Sequence, residues 1–151
     1  MFRLSIVIVG ILALSGCTTI QIPNYIQANN PYIRKMYGDF DQVAQATKTV
    51  LAKYGWQIDK EVDPSVYERD SRYDNNPAKN LLIFTNLKQR SLVLTSSYTH
   101  LNVFLHSVGT ATEVEVRYHS MMPVIKRFVS TRNDKLANRI LDAIEQQLNG
   151  G

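Results

Sequence analysis

The sequence predicts an α+β domain of two layers, in which two long helices pack on one face of an antiparallel sheet. Three observations predict this class. Apolar residues recur at helical spacing over 40–54 and 131–148, and apolar and polar residues alternate between Tyr98 and His119. The first helical segment precedes the alternating region and the second follows it. With 151 residues, 44% of them hydrophobic, the chain has room for one such domain.

The first strand and the first helix are adjacent. The segment Tyr32 to Tyr37 alternates as a strand does, and Gly38 ends it. In the helix that follows, Asp39 or Asp41 can cap the first turn, and Gly55 suits the left-handed residue beyond the last one. The apolar stripe that predicts this helix comprises Phe40, Val43, Thr47, Val50, Leu51 and Tyr54.

Two further strands enclose the most polar part of the chain. Trp56 to Val62 alternates and predicts a strand. Asp63 to Asn80 predicts a loop, with a short extended piece at 66–69 as an option. Leu81 to Asn86 is apolar on both faces, which predicts a strand that is covered on two sides.

The alternation from Tyr98 to His119 predicts a β-hairpin with a tight turn centred on Val108 and Gly109. One face of this hairpin is apolar, with residues of the first strand opposite residues of the second: Leu101, Val103 and Leu105 opposite Val116, Val114 and Thr112. The other face is polar except for Phe104, and we expect it to be exposed to solvent.

The last predicted element is a C-terminal helix. Ser130 or Thr131 can cap it, and Asp134 stands three residues after Thr131 as in a capping box. Its apolar stripe comprises Leu136, Ala137, Ile140, Leu141, Ile144 and Leu148.

This order of elements, over about residues 32–148, resembles the helix-grip type of fold. It is similar to the small α/β domains of the lipoprotein C subunit of the outer-membrane barrel-assembly machinery. The resemblance implies a sheet gripped by helices, which can leave a cavity for an apolar ligand. It assigns no functional residues.

The N-terminus predicts a secretory signal. A basic start at Arg3 precedes an uninterrupted apolar run from Leu4 to Leu14. In a helix this run covers only about 16 Å at ~1.5 Å per residue, far less than the ~30 Å hydrocarbon core. We therefore expect it to target the chain and to be removed.

Leu14, Ser15, Gly16 and Cys17 resemble the lipobox of bacterial lipoproteins. The resemblance implies that the Cys17 sulfur receives a diacylglyceryl group, that signal peptidase cleaves between Gly16 and Cys17, and that the new amine is acylated, with palmitate as a typical chain. Thr18 then favours the inner leaflet of the outer membrane, facing the periplasm. The alternative is a plain signal peptide with an incidental cysteine.

These features divide the chain into three parts. Residues 1–16 are the lipoprotein signal peptide, residues 17–31 are the lipidated cysteine and a flexible tether, and residues 32–149 are a single globular α+β domain. The polar, proline-containing composition of the tether predicts that it has no regular structure.

The composition favours a protein without catalysis, cofactors or metal. A net charge of +4 is too small to indicate nucleic-acid binding. The three histidines lie on one predicted sheet face, but Arg117 beside them disfavours a bound cation. Glu68, Asp70 and Asp74 read as a solvated loop, and no serine stands in a nucleophile motif. We therefore expect the protein not to be an enzyme.

Two surface features suggest contacts. A series of basic residues could meet anionic head groups or an acidic partner, or could be an ordinary solvated surface: Lys126, Arg127, Arg132, Lys135 and Arg139. Phe104, exposed on a polar face, could mark a partner surface or could pack beneath the long loop.

We therefore expect a membrane-anchored periplasmic lipoprotein that acts as a non-catalytic protein-interaction or envelope-assembly module. Its partners would be the membrane, through the anchor, and other envelope proteins. The alternative is a carrier of lipid or of a small apolar ligand in a helix-grip cavity.

Overall fold

The computed structural model describes residues 22–68, 79–91, 96–124, 127–131 and 134–150. These residues form one antiparallel sheet of seven strands with helices packed on one face, so the predicted α+β class is confirmed. The two helices have 14 and 16 residues, which is close to the average length in globular proteins. Neither is long and apolar enough to cross a membrane.

The elements follow one another as β1 (Tyr32–Tyr37), α1 (Phe40–Lys53), β2 (Ile58–Val62), a short 3₁₀ helix (Pro64–Val66), β3 (Asn80–Thr85), β4 (Lys88–Ser91), β5 (Ser96–Val108), β6 (Ala111–Val124), β7 (Arg127–Thr131) and α2 (Asp134–Asn149).

The long strands β5 and β6 are the spine of the sheet. They have 13 and 14 residues, and each pairs with different neighbours at its two ends. Where they are joined by their turn, the strand order is β1-β6-β5-β3-β2, and we call this the hairpin end. At the opposite end β4 pairs with β5 and β7 pairs with β6, and we call this the β4–β7 end.

The predicted hairpin exists, but its register differs from the prediction by two residues. Leu101 pairs with Tyr118 instead of Val116, and Val108 pairs with Ala111. Gly109 has a φ of +62° and occupies the first position of the two-residue turn. This position requires a left-handed backbone conformation, which glycine adopts readily. Because side chains alternate with period two, this shift preserves both predicted faces.

The apolar face of the hairpin packs against both helices, as predicted. Gly55 has a φ of +70° directly after α1, which confirms the expected helix end. The core contains residues from both helices and from the sheet, among them Val43, Val50, Leu51, Leu101, Val103, Val114, Val116, Ile140, Leu141 and Ile144.

Three local predictions are wrong. Strands β4 and β7 were not expected, because four and five residues are too few for a clear alternation. Ser130 and Thr131 belong to β7 and do not cap α2, which begins at Asp134. Val66 ends a 3₁₀ helix instead of starting an extended piece, because Pro64 fits the first helical position and Asp63 accepts a hydrogen bond from Ser65 N.

The polar face of the hairpin was predicted to be exposed to solvent, and this prediction is wrong because the face is buried. Asn102, Phe104 and Arg117 are 0%, 2% and 7% exposed. Residues 22–30, which we call the strap, contact this face at several positions, and so does the segment 63–68. Residues 22–31 of the predicted tether are described by the structure, and within them the strap hydrogen-bonds to this face of the sheet.

Candidate functional site

Polar side chains of β5 bind the backbone of the strap. Ile26 N donates to Asn102 Oδ1 at 2.8 Å, and Asn102 Nδ2 donates to Asn24 O at 3.1 Å. The strap is not a strand, so its buried backbone groups need partners of another kind. A carboxamide supplies one donor and one acceptor together, which explains a fully buried asparagine on this face.

His100 holds the start of the strap. Its Nδ1 lies 3.1 Å from Pro23 O, and its Nε2 lies 2.5 Å from Thr85 O. Both partners are carbonyl oxygens, which can only accept. A neutral imidazole donates to one of them, whereas the imidazolium donates to both.

Arg117 is the centre of a buried charged cluster. Its guanidinium forms ion pairs with Glu115 and with Glu68, the latter at 2.5 Å. It also stacks 3.9 Å from the centroid of the Phe104 ring and donates to Ile26 O at 3.4 Å. Burial lowers the pKa of Arg117, but the two carboxylates outweigh burial and raise this pKa overall.

Tyr25 connects the strap to this cluster. Its hydroxyl donates to Glu68 at 2.5 Å, and its ring stacks on Tyr67 at 5.2 Å between centroids. Burial raises the pKa of Tyr25 to about 12, with a further contribution from the hydrogen bond to Glu68. The cluster therefore joins three distant segments: the strap, the segment 63–68 and β6.

Several candidate residues are therefore not where the sequence predicted. Phe104 is buried beneath Tyr25 and Arg117, so it is not an exposed contact. Glu68 has only 12% of its side chain exposed and is not solvated, while Asp70 and Asp74 lie outside the described residues. In the described parts of the chain, no three or more residues of the metal-ligating types lie close enough to hold an ion.

An open groove lies on the helix side of the sheet, at the β4–β7 end. Its volume is about 680 Å³. The segment after α1 and the first half of α2 form its walls, and the sheet forms its floor, which includes the polar side chains of Gln89, Ser97, Thr99 and Ser120. Apolar and aromatic residues line it from β6, α2 and the segment after α1: Tyr54, Trp56, Tyr118, Met122, Leu136 and Ile140.

The charged residues that line this groove are all basic: Lys88, Arg90 and Arg139. Lys88 Nζ donates to Tyr54 O at 2.6 Å and lies 5.0 Å from the centroid of the Trp56 ring. Arg90 and Arg139 form no ion pair with any residue that the structure describes. The groove is therefore cationic, and it can attract anionic groups to a surface of mixed polar and apolar side chains.

The structure describes only some residues of the predicted basic series. Arg139 lines the groove, and Lys135 is exposed on the first turn of α2. Only the backbone of Arg127 is described, and Lys126 and Arg132 lie outside the described residues, as do Gly16 and Cys17. Sequence reasoning missed Lys88 and Arg90 because it did not recognise β4, which brings them to the groove.

No family model matches the chain, and no curated protein is significantly similar to it. The function is therefore argued from the residues of the chain itself.

Proposed function

We propose that the protein is a lipid-anchored, non-catalytic module of the bacterial envelope, and that it binds an acidic segment of a partner protein in the cationic groove. The observation that carries the proposal is the combination of three basic residues with apolar and aromatic side chains in one open groove. The location rests on the lipobox-like sequence at Leu14 to Cys17.

Lipidation at Cys17 would hold the protein on the membrane permanently. Each buried methylene contributes about 0.8 kcal/mol, and a single acyl chain binds only marginally. A diacylglyceryl group and an N-acyl chain together supply three chains. Thr18 supports the outer membrane as the destination, with the domain in the periplasm.

The engagement of the buried polar residues supports a role without catalysis. His100 and Asn102 hydrogen-bond to the backbone of the strap, and Arg117 is paired with carboxylates. Each of these groups has its hydrogen-bonding or ionic partners within the fold, which favours a structural role for this cluster.

The groove is suited to a protein segment that carries both charge and apolar side chains. Carboxylates of the partner can pair with Arg90 and Arg139, since guanidinium groups bind carboxylates in a bidentate geometry. An apolar side chain of the same segment can lie against Met122 and Leu136, which are partly exposed. Arginine is among the residues that contribute most to binding energy at protein interfaces.

A second candidate is the carriage of a lipid or another small ligand with an apolar part. A volume of about 680 Å³ is in the usual range of ligand sites. The basic residues then require that the ligand carry a negative charge, as an anionic phospholipid does. A wholly neutral ligand would leave these residues without a partner.

Charge reversal in the groove tests the proposal. We expect Arg90→Glu combined with Arg139→Glu to abolish crosslinking to a specific protein neighbour in intact cells. The matched control is Lys79→Glu, which reverses an exposed basic residue at the hairpin end and should leave crosslinking unchanged.

An unchanged crosslinking pattern in the double variant would contradict the use of the groove. Native mass spectrometry distinguishes the second candidate. A lipid that co-purifies with the unchanged protein but not with the double variant, together with no specific protein neighbour, supports a carrier.

A further inference from the structure

We propose that the β4–β7 end of the sheet faces the membrane, so that Leu87 lies against the phospholipid head groups while the groove remains accessible to the partner segment. This inference rests on the lipid anchor of the proposed function, and it adds an orientation that the anchor alone does not give. The bound surface is an anionic phospholipid bilayer.

The strap determines where the chain leaves the domain. Pro23 O is held by His100, and Asn24 O is held by Asn102, the fifth and seventh of the 13 residues of β5. A cavity of about 620 Å³ lies between the start of the strap and the connection from β3 to β4. Leu87 lines this cavity together with Ile22, so the chain leaves the domain beside this connection, where the β4–β7 end begins.

The distance from this exit point to the anchor is short. Ile22 follows Cys17 by five residues, and a fully extended chain spans at most about 3.6 Å per residue, or about 18 Å. By contrast, the hairpin turn is eight residues of β5 away from His100, or roughly 26 Å at ~3.3 Å each, whereas the start of β5 is four residues away, or roughly 13 Å. The β4–β7 end is therefore kept near the bilayer, while the hairpin end can extend away from it.

The surface chemistry of the two ends agrees with this placement. Leu87 is 47% exposed where the β4–β7 end begins, directly before Lys88, and Arg90 and Arg139 line the groove at the same end. Basic residues near an anionic membrane favour binding. Asp59 of β2 borders the same cavity as Leu87, and Asp134 at the start of α2 accepts a hydrogen bond from Tyr32.

The hairpin end has no comparable basic surface among the described residues. Of its described lysines, Lys79 pairs with Asp41 at 2.7 Å, Lys35 pairs with Glu113 at 3.6 Å, and Lys60 donates to the hydroxyl of Tyr67. Asp39 adds a further acidic group at the start of α1. The charge of the molecule therefore favours the β4–β7 end as the one that approaches anionic lipid.

Hydroxyl-radical footprinting on vesicles tests the orientation. The mature chain from Cys17 onwards contains every described residue and a single thiol, so it can be coupled through Cys17 to a maleimide lipid. The vesicles contain phosphatidylcholine and phosphatidylglycerol. Leu87 reports on the β4–β7 end, and Tyr37, which is 84% exposed, reports on the hairpin end.

We expect coupling to reduce the oxidation of Leu87 several-fold relative to uncoupled protein with the same vesicles, and to leave Tyr37 unchanged. Equal oxidation of Leu87 in the two samples, or protection of Tyr37 as strong as that of Leu87, would overturn the proposal. A variant with a long Gly-Ser insertion before Ile22 keeps the domain intact and should lose most of the protection. Full protection in that variant would show that the short connection is not what orients the domain.

The anchor is tested separately. Replacing Cys17 by Ser should abolish metabolic palmitate labelling and membrane fractionation in cells. If labelling of the unchanged protein is absent, the proposed location fails whatever the footprint shows. If labelling is present and Leu87 is not protected, the orientation alone fails.

Discussion

The guanidinium of Arg117 stacks on the ring of Phe104, with its carbon 3.9 Å from the ring centroid, on a sheet face that the strap covers. The guanidinium also pairs with two carboxylates, so both carboxylates have a cation as a partner and the aromatic ring has one as well. This relationship makes the second face of the sheet a core in its own right, built around Leu82, Phe84 and Phe104.

We expect Arg117→Ala to lower the free energy of unfolding by about 3–5 kcal/mol, because Glu68 and Glu115 would remain buried without a cation. Urea denaturation measures this change. Arg34→Ala is the matched control, since Arg34 also pairs with two carboxylates but its side chain is 30% exposed. The control should cost less than about 1 kcal/mol. Similar losses in both variants would contradict the importance of burial.

The strap should open when Asn102 is replaced. Asn102→Leu removes the acceptor of Ile26 N and the donor to Asn24 O. We expect a loss of about 1–3 kcal/mol, because buried strap groups are left without partners. Hydrogen exchange read by mass spectrometry should become faster in a peptide that contains Ile26 and stay unchanged in α1. A strap that keeps its slow exchange would show that other contacts suffice.

Tyr25 should make stability depend on pH in the alkaline range. Its pKa is raised from 10.0 to about 12, so its contribution is complete below pH 10 and is lost as pH rises through about 12. At neutral pH, Tyr25→Phe should cost about 1 kcal/mol for the lost hydrogen bond. Urea denaturation of both proteins as pH is raised should show this difference shrinking between these two values. A difference that stays constant would mean that the tyrosinate is tolerated in the cluster.

Gly109 should resist substitution for a reason of backbone conformation alone. A Cβ at Gly109 would meet no atom within 4 Å, but its φ is +62°. Gly109→Ala should therefore cost about 1–2 kcal/mol. Gly38→Ala is the control, because Gly38 has no positive φ and its Cβ would lie 3.5 Å from Val43, an ordinary contact. Thermal unfolding compares the two variants, and an equal effect would argue against strain at the turn.

The faces of the sheet were predictable from the sequence, whereas the register was not. Alternation places Leu101 and Val116 on the same face both in the predicted register and in one that is shifted by two residues. Choosing among such registers requires the turn, and Gly109 could occupy either of its two positions. The helices were predictable because Gly55 and the apolar stripes are local signals.

The buried polar face could not be predicted by reading strands alone. His100, Asn102 and Arg117 alternate with apolar residues as solvated residues do. Their burial depends on a partner that is irregular and distant in sequence, the strap, whose composition is typical of a linker. Phe104 among them was the one signal that this face is covered.

The strap also determines how the protein responds to mechanical load. A force that pulls the domain away from its anchor enters at Ile22 and acts first on the hydrogen bonds at Pro23, Asn24 and Ile26. We expect these bonds to break one after another while the sheet and the helices stay folded. Released in this way, the nine residues of the strap could span at most about 30 Å at ~3.3 Å each, and the added reach is this length less the distance that the folded strap already spans. Single-molecule pulling should then record a small extension at low force before the main unfolding event.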